Sequence, residues 1–390
     1  MNIALLSKAF LPNVGGIETS TAMMARTWHA AGHVVEVVTA VSNGADATEA
    51  YCVTRVWRPR TLSAAVRRAD LVVVNGYSRA AVAAAVLHRR RLIVFHQGYQ
   101  LVCRDGIGLG DRRRDGFDAF ERLKWAVVTL PKEILPAVVR LAFDAAVRRR
   151  AFRIDHVVPG QHAAAGLGLS GYKVIYQPPN PEVVDALSTL GEPTAEARVR
   201  AHETGDVVFF GRLVFEKGCE DLLRAYALWQ HRWESGLRRR RTPAKLTIYG
   251  RGPELPALER LAADLNLAGS VEFHPFLAGG GLARAARDAS VVVIPSRWVE
   301  PGATIAVELF ACGAAVIASE NGAQGEIFSK HGRLFPNGDV AALARALEEH
   351  FTAGPIYPRP SGDEPWSVSA IREALIRLPQ GPPSPGRGRR

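Results

Sequence analysis

The feature that most constrains this sequence is an alternation of short apolar runs with longer stretches of helical spacing. Residues 3–6, 34–39, 71–74 and 92–96 are rich in Val, Ile and Leu, and a helical pattern over residues 19–31 separates the first two. A second series begins at residues 207–210 and continues through 246–249, 271–273, 291–294 and 315–318. Strands that alternate with helices pair in parallel, with each helix crossing over a sheet face. The expected class is therefore α/β, with two Rossmann-like, doubly wound domains. The length agrees, because 390 residues exceed what one hydrophobic core usually serves.

Between the two series, Tyr176-Gln177-Pro178-Pro179-Asn180-Pro181 cannot continue a helix and suits a linker. The expected domains are 1–178 and 179–364. Residues 365–378, around Trp366, carry an amphipathic helical pattern. Residues 379–390 form a Pro/Gly/Arg tail expected to be disordered.

The net charge is +11, almost all of the excess being arginine. It suits nucleic acid, an acidic membrane surface or a phosphate-rich substrate, and it equally suits the arginine-rich, alanine-rich composition of the whole chain. Cys52, Cys103, Cys219 and Cys312 lie far apart, without metal-ligand spacing or a disulfide framework, which fits a reducing compartment. The text opens directly on a strand pattern, and no long uncharged apolar stretch follows, since Arg140, Asp144 and Arg148 interrupt the longest candidate. A cytoplasmic protein is expected.

In open parallel sheets, ligands bind beyond the carboxyl ends of the strands, so the residues just after each apolar run bear inspection. Four places stand out. Gly15-Gly16 precede a helix, where small residues let backbone amides approach an anion. Arg212 and Lys217 lie on the connection after residues 207–210, where both can converge on one diphosphate. In Glu300-Pro301-Gly302-Ala303-Thr304, a carboxylate precedes amides at a helix start, and Glu308 follows a turn later; two carboxylates beside a phosphate site suit a sugar nucleotide. Glu308, flanked by Val307 and Leu309, also reads as a buried structural acid. His96, at the end of residues 92–96, reads either as a substrate contact or as a satisfied structural residue.

Together with Tyr249-Gly250-Arg251-Gly252-Pro253 and Ala311-Cys312-Gly313, these places resemble glycosyltransferase family 4, of the glycosyltransferase-B fold, over nearly the whole chain. The resemblance implies two facing domains with a cleft between them, and a helix at 365–378 crossing back to the first domain. It implies that Arg212 and Lys217 hold the donor diphosphate with Gly15 and Gly16, and that Glu308 binds the nucleotide ribose. By the same resemblance Glu300 with Gly302, Ala303 and Thr304 holds the donor sugar, Gly250 and Gly252 lie in the nucleotide-base region, and His96 lines the sugar site; His96 and Glu300 are the catalytic candidates. Two departures stand out: Gly302-Ala303 replaces the usual Phe-Gly, and Gln177-Pro178-Pro179-Asn180 replaces the usual Asn-Gly-Val-Asp.

The resemblance implies a retaining hexosyl transfer from a nucleotide-diphosphate sugar, by default a uridine one, to a hydroxyl acceptor, with no metal and no cofactor. The alternatives are a nucleotide-sugar epimerase of the same fold, for which Asp105, Asp111 and Asp115 could supply acid and base, and a transferase with a small soluble acceptor. Arg104, Arg112-Arg113-Arg114 and Arg148-Arg149-Arg150 surround apolar residues 125–141. That surface suits docking on anionic lipid at the inner face of the membrane, with a lipid-linked acceptor, or else a core helix with a solvated arginine face. No nucleic-acid partner is expected.

Overall fold

A computed structural model describes residues 1–13, 15–42, 49–102, 134–149, 154–169, 171–234, 244–358 and 363–380. The chain forms two compact units, Met1–Pro178 with Val368–Arg390, and Pro179–Ser367.

The first unit runs β1 (Asn2–Leu6), α1 (Gly16–Ala30), β2 (Val34–Val38), β3 (Cys52–Thr54), α2 (Pro59–Arg68), β4 (Leu71–Asn75), α3 (Arg79–Leu87), β5 (Arg91–Phe95), α4 (Ile134–Arg148), β6 (Ile154–Val158), α5 (Gln161–Leu167) and β7 (Lys173–Val174). Among the described residues its seven strands are all parallel, in the order β3-β2-β1-β4-β5-β6-β7. Helices cover both faces of such a sheet, which is why the central strands read as unbroken apolar runs: Ile3 to Leu6 and Leu71 to Val74 are all buried.

The second unit begins with α6 (Pro181–Leu190) and α7 (Ala195–Thr204). The proline-rich stretch accounts for the start of α6, because Pro181 takes the first helical position and the Asn180 side chain accepts from Glu182 N at 3.0 Å. There follow β8 (Val207–Arg212), a 3-10 turn (Phe215–Lys217), α8 (Cys219–Glu234), β9 (Leu246–Arg251), α9 (Leu255–Asp264), β10 (Val271–His274), α10 (Gly279–Asp288) and β11 (Val291–Ile294). The unit continues through α11 (Thr304–Cys312), β12 (Val316–Ser319), α12 (Ala323–Phe328), β13 (Arg333–Phe335) and α13 (Val340–Ala353). Among the described residues its six parallel strands lie in the order β10-β9-β8-β11-β12-β13. On one face α8 packs on α13, with Trp229 and Phe351 stacked at 4.8 Å.

Counted within each unit, the strand order is the same: the first strand lies beside the fourth, and successive crossovers depart from that pair in opposite directions. The pairs β1/β4 and β8/β11 are therefore the topological switch points, the places where sheets of this kind bind ligands.

The last helix, α14 (Val368–Arg377), belongs to the first unit. It packs on α1, and the buried Trp28 indole donates to Leu375 O at 2.8 Å. A 3-10 turn, Leu378–Gln380, follows it, and Arg91 donates to Pro379 O. The expected disordered tail is thus corrected at its first two residues, which form part of that turn; residues 381–390 lie outside the described ones.

Candidate functional site

The switch point of the second unit brings together the loops that carry Lys217 and Glu300. Lys217 ends the 3-10 turn after β8, and Gly218 follows with φ +67°, a left-handed conformation. A Cβ there would lie 1.9 Å from Pro295 O, at the end of β11, so only glycine allows the two loops to approach so closely. Arg297 N then donates to Glu216 O at 2.9 Å, fixing one backbone to the other.

Across this junction Lys217 Nζ stands 2.8 Å from Glu300 Oε1 and 5.9 Å from the centre of the Trp298 ring. Ser296 Oγ donates to the same Glu300 oxygen. The Glu300 side chain is 3% exposed, a burial a carboxylate tolerates only when paired. An ammonium has three N–H donors, so bonding Glu300 leaves Lys217 capacity for another anion. Ala323 N donates to Glu300 O at 2.9 Å, and Gly322 bridges to Glu300 as a parallel strand would, drawing the β12–α12 loop to the same place.

Helix α11 starts immediately beyond. Ala303, its N-cap, has no side-chain oxygen, and the first intrahelical bond is Ala306 N to Ala303 O at 3.0 Å. The amides of Thr304 and Ile305 precede that bond and, with the helix dipole, form an anion-binding end. One turn on, Glu308 is 7% exposed and accepts from Asn180 N at 2.9 Å. Burial pushes its pKa up to about 7, the single backbone N–H offsetting only part of that cost.

The remaining predicted residues of this unit divide. Arg212, at the end of β8, has a 57% exposed side chain and pairs with Glu216 at 3.4 Å. Gly250 and Gly252 lie at the end of β9, where a Cβ would come within 2.5 Å of Gly211 O and 2.2 Å of Leu213 O respectively. Their smallness admits the neighbouring β8 backbone.

The first unit's switch point is built differently. Gly15 caps α1 and Gly16 is its first residue; a Cβ on Gly15 would meet the Glu18 carboxylate, which lies over the helix start. Beyond β1, β4 and β5 runs a buried neutral network. Asn75 donates to Ser20 and Thr21 at 3.0 and 2.8 Å, Gln97 donates to Asn75 at 2.7 Å, and Gln177 donates to Gln97.

His96 is fully buried, its Nε2 3.0 Å from His156 Nδ1. His156 Nε2 lies 3.1 Å from Val147 O, which can only accept, so His156 carries its proton on Nε2 and accepts on Nδ1. His96 must then donate from Nε2, leaving Nδ1 an acceptor with no hydrogen-bond partner among the described residues. Burial, and secondarily the neighbouring imidazole, lower its pKa to about 3, so the ring is neutral at physiological pH.

Ser296, Arg297 and Asn180 were not singled out from sequence. The first two directly follow an apolar strand, the signal that located the other loop residues, whereas Asn180 acts through its backbone and leaves none. Asp105, Asp111, Asp115, Arg104, Arg112, Arg113, Arg114 and Arg150, with most of residues 125–141, lie outside the described residues. Among the described residues no group of three His, Cys, Asp or Glu side chains could share a metal ion.

Both loops, with both carboxylates, fall in one matched segment. Residues 194–357 match the family model of glycosyl transferases group 1. A relative from Mycolicibacterium smegmatis, a GDP-mannose-dependent alpha-(1-6)-phosphatidylinositol monomannoside mannosyltransferase, is 33% identical over 179 residues, 43% of this chain and 45% of that protein. The chain spans less than half the length of the curated relatives it matches. Among solved structures, sucrose-phosphate synthase from Thermosynechococcus elongatus matches with TM-score 0.65 and 20% identity over 97% of each chain. Anabaena HepE, solved in complex with UDP, matches with TM-score 0.60 and 18% identity over 97% of this chain and 95% of that one. These likenesses show the fold, two parallel-sheet α/β domains of the glycosyltransferase-B type, around the group 1 segment.

Proposed function

We propose that this chain is a retaining glycosyltransferase that moves a hexosyl group from a nucleotide-diphosphate sugar to a hydroxyl acceptor in glycolipid, polysaccharide or other glycoconjugate synthesis. The observation that carries this reading is the Lys217–Glu300 pair, 2.8 Å apart beside the uncapped start of α11. It sets a cation and free amides for phosphate next to a carboxylate for sugar hydroxyls.

In this reading Glu300 is not a nucleophile, because its carboxylate already accepts from Lys217 and Ser296. A retaining glycosidase would place a second acid about 5 Å away. The anomeric C–O bond breaks as negative charge grows on the departing diphosphate, stabilised by Lys217, Arg212 and the amides of Thr304 and Ile305. The acceptor hydroxyl attacks on the same face and gives its proton to the leaving phosphate, so that neither metal nor cofactor is required. Glu308, on the next turn of α11, binds ribose, and Gly250 and Gly252 border the base.

For the nucleotide, a uridine diphosphate sugar is the first reading, supported by the UDP complex of HepE. GDP-mannose is the second, favoured by the mannosyltransferase relative. The acceptor is taken as lipid-linked and the protein as a cytoplasmic one that touches anionic lipid. On α4, Val138 and Val139 are 44% and 59% exposed beside exposed Arg140, an amphipathic surface suited to a bilayer face. Among the described residues no helix is long and apolar enough to cross a membrane.

The decisive experiment titrates UDP, GDP, UDP-glucose and GDP-mannose calorimetrically, then follows donor turnover in excess chelator with polyprenyl-phosphate-linked and soluble acceptors. Saturable donor binding, transfer only with acceptor, and an α-linked product from an α-donor support the reading. Interconversion of sugar nucleotides without acceptor would make it an epimerase, and binding to none of the four would sink it.

A further inference from the structure

The side chain of Arg297 lies between the two loops that carry Lys217 and Glu300, yet it has no place in the reaction as described. Its guanidinium forks onto Asp221, with Nε and Nη2 both 2.6 Å from the carboxylate, and Nη2 also reaches Glu220 at 3.0 Å. Its Cζ sits 4.3 Å from the centre of the Phe215 ring, two residues before Lys217. Asp221 and Glu220 occupy the first turn of α8, where acidic side chains also complement the helix dipole. The Arg297 side chain is 15% exposed and the Asp221 side chain 9%. With its donors aimed at two carboxylates, the guanidinium is an anchor rather than a ligand for phosphate.

Three tethers converge on this residue. Its backbone N–H holds Glu216 O, its fork holds α8, and its flat face covers Phe215. Arg297 is three residues from Glu300, while Phe215 and Glu216 lead directly into Lys217. Movement of either loop would break at least one tether.

We propose that Arg297 is a positioning residue that sets the spacing between the cation of Lys217 and the carboxylate of Glu300 by clamping residues 295–300 onto the Phe215–Lys217 turn and α8. This rests on the proposed reading of Lys217 as a diphosphate ligand. An arginine suits the task because its planar fork engages both Asp221 oxygens at once, whereas a lysine in its place would retain the charge and lose the geometry.

The test is a double-mutant cycle on the full chain, with UDP and GDP as probes, read by calorimetric titration beside melting curves. The affinity lost by Lys217→Ala alone tests the reading of Lys217, and the coupling in the cycle tests the clamp. Arg297→Lys should weaken binding of the diphosphate at least about tenfold, and should weaken it much less when Lys217→Ala is already present. Arg224→Ala, which removes another arginine from Glu220 without touching the Glu300 loop, should leave affinity unchanged. If Arg297→Lys fails to fold, Asp221→Asn removes the far end of the clamp and should show the same dependence on Lys217. Equal losses in both backgrounds, or a lowered melting temperature with unchanged affinity, would overturn the clamp while leaving the role of Lys217 standing. No binding of UDP or GDP by the wild type would overturn both.

Discussion

The two switch points of this molecule share a strand order and differ in electrical character. At β8/β11 the loops carry opposed charges in contact: Lys217 on Glu300, and Arg297 on Asp221 and Glu220. At β1/β4 the buried groups, Ser20, Thr21, Asn75 and Gln97, are neutral, and His96, just past the end of β5, is held neutral. Topology decides where a ligand can sit, and side chains decide which ligand. The charged end suits a diphosphate, whose negative charge needs a partner, and the uncharged one suits hydroxyl groups.

The sharpest way to break this contrast is Lys217→Ala, which should cost about 2–4 kcal/mol in kcat/KM for donor, as loss of a charge-stabilising contact does. Full activity in steady-state assays would remove the charged end from the chemistry.

Glu308→Gln should weaken nucleotide diphosphate affinity by about 1–3 kcal/mol. It should also reshape the pH dependence of stability. The folded carboxyl keeps its proton up to about 7, whereas the unfolded one releases it near the ordinary carboxyl value of 4.5, so wild-type stability falls as pH rises through that window. Melting curves of wild type and Glu308→Gln should therefore coincide below 4.5, diverge between 4.5 and about 7 in favour of Gln, and keep a constant separation above that. Parallel curves would mean that Glu308 is not desolvated in solution.

The first unit offers the opposite sign. His96 has its pKa lowered from 6.5 to about 3, so its contribution to stability is present above 6.5 and is lost as pH falls towards 3. His96→Gln should flatten that loss in acid melting curves. His156→Gln keeps an acceptor towards His96 and a donor towards Val147 O, and should be milder than His156→Phe; equal damage from both would refute the proton assignment.

The smallest expected effect is on the stability of Arg212→Ala. An exposed cation in a 3.4 Å pair contributes little to folding, so the free protein should lose less than about 0.5 kcal/mol of stability and its melting temperature should barely move, while donor affinity falls. A large loss of free-protein stability would recast Arg212 as structural.

The fold was legible because parallel strands buried on both faces must be continuous apolar runs, as Val72, Val73 and Val74 are. Strands of two or three residues at sheet edges, Lys173–Val174, Cys52–Thr54 and Arg333–Phe335, carry too few residues for a pattern, and in Ile154–Val158 the pair Asp155-His156 breaks the apolar run; all four were missed. Helix α1 begins at Gly16 rather than near residue 19, since two glycines announce a turn more loudly than a helix start. Residues that act through side-chain charge, Lys217, Glu300 and Glu308, could be picked out by type and place. Asn180 could not, since any residue but proline supplies its backbone N–H, and the proton arrangement of His96 depended on a carbonyl at Val147, unforeseeable from spacing.

Helix α14 has a consequence for how the protein is made. During synthesis the first unit is translated early, but the indole of Trp28 must wait 347 residues for its carbonyl partner at Leu375. The second unit, one uninterrupted segment from Pro179 to Ser367, has every strand of its sheet before that helix leaves the ribosome. The second unit can therefore close before the first one is completed, the reverse of the order in which the two begin to be translated. A chain lacking α14 would leave the α1 face that carries Trp28 uncovered, and exposed apolar surface of that kind is what chaperones and proteases recognise.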